Sequence, residues 1–225
     1  MKEKENGNKK AKKPWPTKDA MEQVYEMNLW GGNKAPFYSG IGSHDPKIVD
    51  PYIDAITSFL KSFKTPLHVC DLGCGDFNVG KELVKHTKKY VAVDIVNNLI
   101  FHNKEKFKED NLEFQCLDIA VDNLPSGDCA ILRQVLQHLS NAEIQQILNK
   151  LTAFKYVILT EHVPVGEFTP NKNIISGQGN RMKKQSGINL LAPPFNFKVK
   201  EEKLVLSVIL EDSSGVINTT IYKVF

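Results

Sequence analysis

The sequence predicts an α/β fold: a doubly wound, mostly parallel sheet with an antiparallel hairpin at its C-terminal end. Three observations predict it. Short apolar runs alternate with stretches of helical pattern between residues 67 and 160. Strands that alternate with helices form a parallel sheet covered on both faces. The first run, Leu67–Leu72, leads directly into the turn Gly73-Cys-Gly75. The chain ends in two runs, Lys203–Leu210 and Val216–Val224, joined by Glu211-Asp-Ser-Ser-Gly215, a link short enough for a hairpin.

Residues 1–16 read as a disordered basic tail that closes in Pro14-Trp-Pro16. A helix is expected over Thr17–Trp30, with Thr17 as its cap and Ala20, Met21, Val24 and Met27–Leu29 as apolar positions. Gly31 to His44 forms a loop that, with Trp30, holds Phe37, Tyr38 and His44 among glycines. Residues 17–44 are therefore a candidate lid, or a packed N-terminal brace. The main domain spans 45–225. Asp45-Pro46 starts a helix that runs to about Phe63, with Ile48, Tyr52, Ile56, Phe59 and Leu60 along one stripe. Strands are expected at Leu67–Leu72, Tyr90–Asp94, Leu112–Leu117, Asp128–Leu132 and Tyr156–Thr160. Helices are expected at Val79–Lys88, Asn97–Lys108, Val135–Leu139 and Asn141–Leu151, the last capped by Ser140. Residues 163–200 form a long polar loop rich in Gly, Pro, Asn and Lys, a size that is often functional.

Composition narrows the partners. At 225 residues, 41% hydrophobic and 24% charged, the chain can bury a full core. No apolar run is long enough to span a membrane, and the N-terminus lacks the apolar core of a secretion signal. The net charge of +3 arises in the tail: residues 1–13 carry six lysines and two glutamates, +4, which leaves −1 for the rest. Neither a membrane nor nucleic acid is expected as partner. The cysteines, Cys70, Cys74, Cys116 and Cys129, form no CxxC pair. They read as reduced thiols of a cytoplasmic protein, with no metal site.

The turn carries the chemistry. A turn without β-carbons lets backbone approach a ligand, and a following helix would aim free N–H groups at it. Asp94 ends the next apolar run about twenty residues on, the spacing of an acid that accepts from a ribose. This alone leaves a nicotinamide dinucleotide and S-adenosylmethionine both open. Three features discriminate. The turn is not GxGxxG, since Asn78 stands at the third glycine. Asp71, just before the glycines, would repel a dinucleotide's phosphates and attract the amino group of a methionine moiety. Asp118 ends the third strand, within reach of an adenine amino group.

Asp71-Leu-Gly-Cys-Gly75, Asp94 and Cys116-Leu-Asp118 resemble the cofactor motifs of class I S-adenosylmethionine-dependent methyltransferases. The resemblance covers about residues 45–225. It implies a Rossmann-like, seven-stranded sheet whose last strand is inserted antiparallel. It also implies Asp94 on the ribose, with Ile95 beside it, and Asp118 and Ile119 at the adenine. Gly73, Cys74 and Gly75 would lie along the methionine moiety, with Asp71 near its amino group. Phe77 replaces the usual third glycine. The longer pattern Cys74-Gly-Asp-Phe-Asn78, with Asp94-Ile-Val, Leu136-Gln-His-Leu-Ser140 and Asn189-Leu-Leu-Ala-Pro-Pro-Phe195, is similar to a bacterial subgroup of these enzymes.

Methyl transfer from a sulfonium is an in-line displacement, for which a protein mainly aligns the acceptor and excludes water. Candidates must sit at the carboxyl ends of strands. Arg133 and Gln134 follow the fourth strand and are expected to touch cofactor or acceptor. Glu161 and His162 end the fifth strand, His138 lies one helical turn beyond Gln134, and His44 sits in the aromatic loop. These four are the candidates for proton removal. Amides and glycines in the long loop, Asn171-Lys-Asn173, Gly177-Gln-Gly-Asn-Arg181 and Asn189, suit a sugar-like small-molecule acceptor, methylated on oxygen or nitrogen. The alternatives are an RNA or protein methyltransferase using the lysine tail, and a non-catalytic module that keeps the fold and binds the cofactor.

Overall fold

The computed structural model describes residues 14–32, 36–211 and 215–225. Most of the expected tail, the start of the 31–44 loop's centre (33–35) and the hairpin tip (212–214) lie outside them. The seven strands are β1 (His68–Leu72), β2 (Lys89–Asp94), β3 (Leu112–Cys116), β4 (Cys129–Arg133), β5 (Tyr156–Val163), β6 (Glu201–Ile209) and β7 (Val216–Lys223). Their order across the sheet is β3-β2-β1-β4-β5-β7-β6. The first five run parallel, and β7 is inserted antiparallel between β5 and β6. This is the Rossmann-like, doubly wound architecture that the sequence predicts.

Four α-helices surround the sheet: α1 (Thr17–Glu26), α2 (Pro46–Lys61), α3 (Asn97–Lys106) and α4 (Asn141–Leu151). Asp45 caps α2 by accepting from the Lys47 N–H at 2.9 Å, and Pro46 occupies the first turn. Ser140 caps α4 in a capping box with Glu143. Thr17 caps nothing. It is the first residue of α1, and its hydroxyl instead donates to the Glu143 carboxylate, so α1 is tied to α4.

Besides a smaller third cluster of Tyr25, Val96 and Leu99, the core has two main clusters, one on each face of the sheet. On one, Cys70, Leu72, Val91, Val93, Leu132 and Val157 pack against Ile144, Ile147, Leu148 and Leu151 of α4. On the other, Val69, Tyr90, Ala92, Ile131 and Ile158 pack against Val49, Tyr52, Ile56 and Leu60 of α2. Alternate residues of each strand are buried on opposite faces, as parallel strands require. The long loop completes the first face: Ile188, Leu190, Phe195 and Phe197 are buried there, where a crossover helix would otherwise pack.

Two expected helices are short 3-10 turns instead. Residues 79–88 form two short 3-10 turns, Gly80–Glu82 and Val84–His86. The cause is Phe77. It adopts a left-handed φ of 61° and drives its ring into the core, 4.8 Å from the ring of Phe114 and 5.2 Å from that of Phe107. A β-carbon on Gly80 would stand 2.4 Å from this ring, so the chain packs around the phenyl group rather than coiling past it. Among the described residues no α-helix lies between the glycine turn and β2. Residues 135–139 likewise form one 3-10 turn, Leu136–His138, squeezed between the left-handed Gln134 (φ 57°) and the cap of α4. Strand β5 extends three residues beyond Thr160, because β7 pairs with it as far as Val163↔Val216.

Replacing Phe77 by alanine should lower the unfolding free energy by about 3–5 kcal/mol, the usual cost of deleting a buried phenyl ring. Urea titration checks this; a loss under about 1 kcal/mol would show that the ring does not organise this loop.

Candidate functional site

The parallel order brings the carboxyl ends of β1, β2, β3, β4 and β5 to one edge. A cavity of about 350 Å³ opens there. Asp71, Gly73, Cys74, Gly75, Asp94, Ile95, Asp118, Ile119, Arg133 and Gln134 all line it, as do His138 and His162.

The glycine turn is held on every side. The Gly73 and Cys74 N–H groups both donate to the Val93 carbonyl at 2.8 Å. The Gly75 N–H donates to Asp94 Oδ2 at 3.0 Å, and the Gly75 carbonyl accepts from Asn103 of α3 at 2.8 Å. Both glycines have positive φ, 94° at Gly73 and 56° at Gly75. Added β-carbons would meet Val135 at 2.4 Å and the Ser39 hydroxyl at 2.5 Å. The glycines are thus required by the protein's own packing.

Asp94 is buried. One carboxylate oxygen accepts from Gly75 and the other from the Val96 N–H at 3.1 Å. The Ile95 N–H also bears on this carboxylate, which leaves it acceptor capacity for a hydroxyl donor. Burial raises its pKa, while the hydrogen bonds from Val96 and Gly75 oppose that rise. Asp71, buried beside the turn, accepts from the Tyr90 hydroxyl at 2.9 Å. Burial pushes its pKa up to about 7, against the opposing pull of Tyr90 and Arg133. A buried carboxylate with no cation bonded to it suits a cationic ligand group. Asp118 closes its own turn by accepting from the Ala120 N–H at 2.9 Å.

Residues 39–43 line this edge. Ser39 donates its N–H to Asp76 Oδ2 at 2.9 Å, and its hydroxyl accepts from the Asp76 N–H at 2.8 Å. Arg133 donates to the Gly42 carbonyl and to the Ser43 hydroxyl, and lies over the Tyr52 ring at 4.9 Å. From α1 come Thr17, Met21 and Tyr25, and Trp30 follows; all four line the cavity.

Three expected site residues stand elsewhere. His44 bonds Asp76 at 2.6 Å and stacks on Tyr38, and it faces a separate surface groove. Asn78 lines that groove too, and its side chain donates to the Ser43 carbonyl at 2.8 Å. Glu161, only 2% exposed, lies inside β5 rather than at its mouth. Its two oxygens accept from the Leu136 and Gln137 N–H groups at 3.0 Å each. Burial pushes its pKa up to about 8, against those backbone bonds. His138 is on the cavity wall, yet its nitrogens are engaged: Nδ1 meets the Gly179 carbonyl at 3.1 Å and Nε2 the Gln137 side-chain amide at 3.1 Å. Burial lowers its pKa. Among the described residues no group of three or more His, Cys, Asp or Glu side chains is placed to hold a metal ion.

Sequence reasoning missed Tyr25, Ser39, Asp76, Asn103, Gln137 and Arg181. Most had no signal beyond their residue type. Arg181 had one. The chain has 27 lysines and two arginines, and both arginines, Arg133 and Arg181, are at this edge. In the long loop, Gln178 and Asn180 line the cavity, while Asn171 and Asn189 bond each other and knit the loop together.

Comparison with known proteins agrees with this geometry. The family described as methyltransferase domain matches residues 70–154. The ubiquinone biosynthesis O-methyltransferase of Rickettsia akari (strain Hartford) is 24% identical over 171 residues, 75% of this chain. The chain spans 61% of the length of that curated relative. Among solved structures, N-methyltransferase NodS from Bradyrhizobium japonicum WM9, in complex with S-adenosyl-L-homocysteine, aligns with TM-score 0.65 at 11% identity, over 91% of this chain and 99% of that one. Magnesium protoporphyrin IX methyltransferase from Synechocystis PCC 6803, with bound S-adenosylmethionine, aligns with TM-score 0.58 at 15% identity, over 95% and 100%. At these identities the structural likeness is one of fold. The match places a methyltransferase domain at residues 70–154, and the sheet order is that of the class I methyltransferase fold, which in those two solved structures holds S-adenosyl-L-homocysteine or S-adenosylmethionine.

Proposed function

We propose that the chain methylates a small, neutral, polyhydroxylated or amine-bearing acceptor with S-adenosylmethionine as donor. The observation that carries this reading is the single cavity edge where Asp71, Asp94 and the Gly73–Gly75 turn stand with Trp30, His138, His162, Gln178 and Asn180. The donor set fits the cofactor. Asp94 has acceptor capacity left for a hydroxyl, and Asp71 offers a buried carboxylate to an ammonium group. The cofactor supplies the activated methyl group. The residues of this chain position and shield. Residues 39–43, with α1 and Trp30, cover the edge and exclude water from it. Trp30, Gln178 and Asn180 offer a ring face and amides to the acceptor, in keeping with a sugar-like molecule. His162, which also lines the cavity, is the group we assign to the acceptor's proton. The O-methyltransferase relative supports a small-molecule acceptor.

Turnover of S-adenosylmethionine with pooled small polyols and amines, set against RNA and protein, tests the reading directly. Methylation confined to macromolecules would overturn it. His162→Asn should lower kcat/KM by roughly 10²–10⁴ while calorimetric affinity for S-adenosylhomocysteine holds; unchanged turnover removes His162 from proton transfer. Asp94→Ala should weaken S-adenosylhomocysteine binding about 10- to 100-fold, the worth of a charged hydrogen-bond acceptor. Asp71→Asn separates stability from binding. The fold disfavours the charged carboxylate, so its cost is absent below the unfolded pKa near 4 and complete above about 7. The substitution should therefore raise stability at pH 8, by roughly 1–4 kcal/mol, and leave it unchanged near pH 3.5. Cofactor affinity should fall in the same variant at pH 8. Denaturant titrations at the two pH values give the difference.

A further inference from the structure

The turn Leu136–His138 is gripped at both ends by buried ionisable side chains, Glu161 and Arg181. A three-residue 3-10 turn has little stability of its own, and its terminal N–H and C=O groups need partners. Glu161 takes the N–H groups of Leu136 and Gln137. Arg181, 1% exposed, takes the other end: Nη1 donates to the carbonyls of Leu136 (3.0 Å) and Gln137 (3.3 Å), and Nη2 to that of Leu139 (2.7 Å). Its remaining donors reach Asn141 Oδ1 at 2.7 Å and the Lys172 carbonyl at 3.1 Å. Carboxyl oxygens at the first N–H groups and a guanidinium at the last carbonyls match the dipole of the turn.

Burying a guanidinium and a carboxyl group is costly unless their hydrogen bonds are met, so such a pair needs a purpose that apolar packing would not serve. The turn carries Gln137 and His138. Gln137 Oε1 accepts from the His162 N–H at 3.1 Å, which orients its amide nitrogen toward His138 Nε2. On the other side of the ring, Nδ1 faces the Gly179 carbonyl, which can only accept. One arrangement satisfies all three contacts: a neutral imidazole with its proton on Nδ1. Trp30 packs against this ring at 5.2 Å. The composition points the same way. A chain that uses lysine for almost every cation keeps one of two arginines here, where five donors in a rigid fork are needed.

We infer that Glu161 and Arg181 are positioning residues: together they clamp the 136–139 turn, so that Gln137 holds His138 on the cavity wall as the neutral Nδ1–H tautomer, a fixed recognition surface rather than a base. The inference rests on the methyl-transfer reading only for what this surface is used for. Nitrogen-15 NMR of the full chain reads the ring directly, with His138→Asn identifying its signals among the six histidines. The wild type should show His138 as the Nδ1–H form alone. Glu161→Gln presents an amide N–H to a backbone N–H, and Arg181→Lys replaces the fork by one ammonium. Each should turn His138 into a mixture of tautomers while circular dichroism stays native, and Gln137→Leu should do the same without touching the clamp. If one clamp variant fails to fold, the other carries the test. A protonated or Nε2–H ring in the wild type overturns the inference, as does an unchanged ring in folded Glu161→Gln and Arg181→Lys. Calorimetry with S-adenosylhomocysteine on the wild type keeps the readings apart: no binding would sink the cofactor assignment and leave the tautomer result standing.

Discussion

The Asp94 carboxylate joins the two elements on which the site depends. It ends β2, and it receives the Gly75 N–H from the turn after β1. The parallel register sets the two ends side by side, with Leu72 opposite Val93, so the turn lands on the Val93 carbonyl and on Asp94 together. Buried carboxylates are costly, and this one is stabilised by backbone donors that also shape the turn. One group thereby fixes the backbone next to the cavity and faces the cavity with its remaining acceptor sites.

Charge is distributed by the same logic. Asp71, Asp94 and Glu161 are buried carboxylates, and each is bonded by a hydroxyl or by backbone N–H groups. Arg133 and Arg181 answer them through carbonyls rather than through direct ion pairs: Arg133 holds Gly42 of the covering segment, and Arg181 holds the turn after β4. Low dielectric strengthens such bonds and makes each unpaired group expensive. The polar interior is therefore concentrated where three segments that carry no sheet hydrogen bonds must keep one shape. Glu143 shows the pattern at the rim, where the hydroxyls of Thr17, Ser140 and Ser176 converge on one carboxylate from α1, α4 and the long loop.

The fold also shows how packing overrides local pattern. Residues 79–88 carry a helical pattern but are organised by the Phe77 ring, which takes up the volume beneath them. The long loop is as polar as its sequence suggests, yet four of its apolar residues close one face of the core. Its amides divide in two: Asn171 and Asn189 satisfy the loop's own backbone, and Gln178 and Asn180 reach the cavity.

Strand positions, the glycine turn, the acids at strand ends and the closing hairpin were legible in the sequence, because each depends on neighbours within a few residues or on a periodic pattern. Asp71, Asp94 and Asp118 could be placed at the cavity from their strand-end positions alone. What depended on distant partners was not legible. Glu161 reads as a strand-end acid until β7 lengthens the strand and buries it. His138 reads as a free base until Gln137 and Gly179 occupy its nitrogens. Arg181, 45 residues from the carbonyl of Leu136, has no local pattern at all. The amino-acid sequence alone settled the sheet and the glycine turn with its strand-end acids, since alternation and turn chemistry are local. Only the tertiary structure decided which polar groups meet the cavity, because burial and hydrogen-bond partnership are settled by segments far apart in the chain.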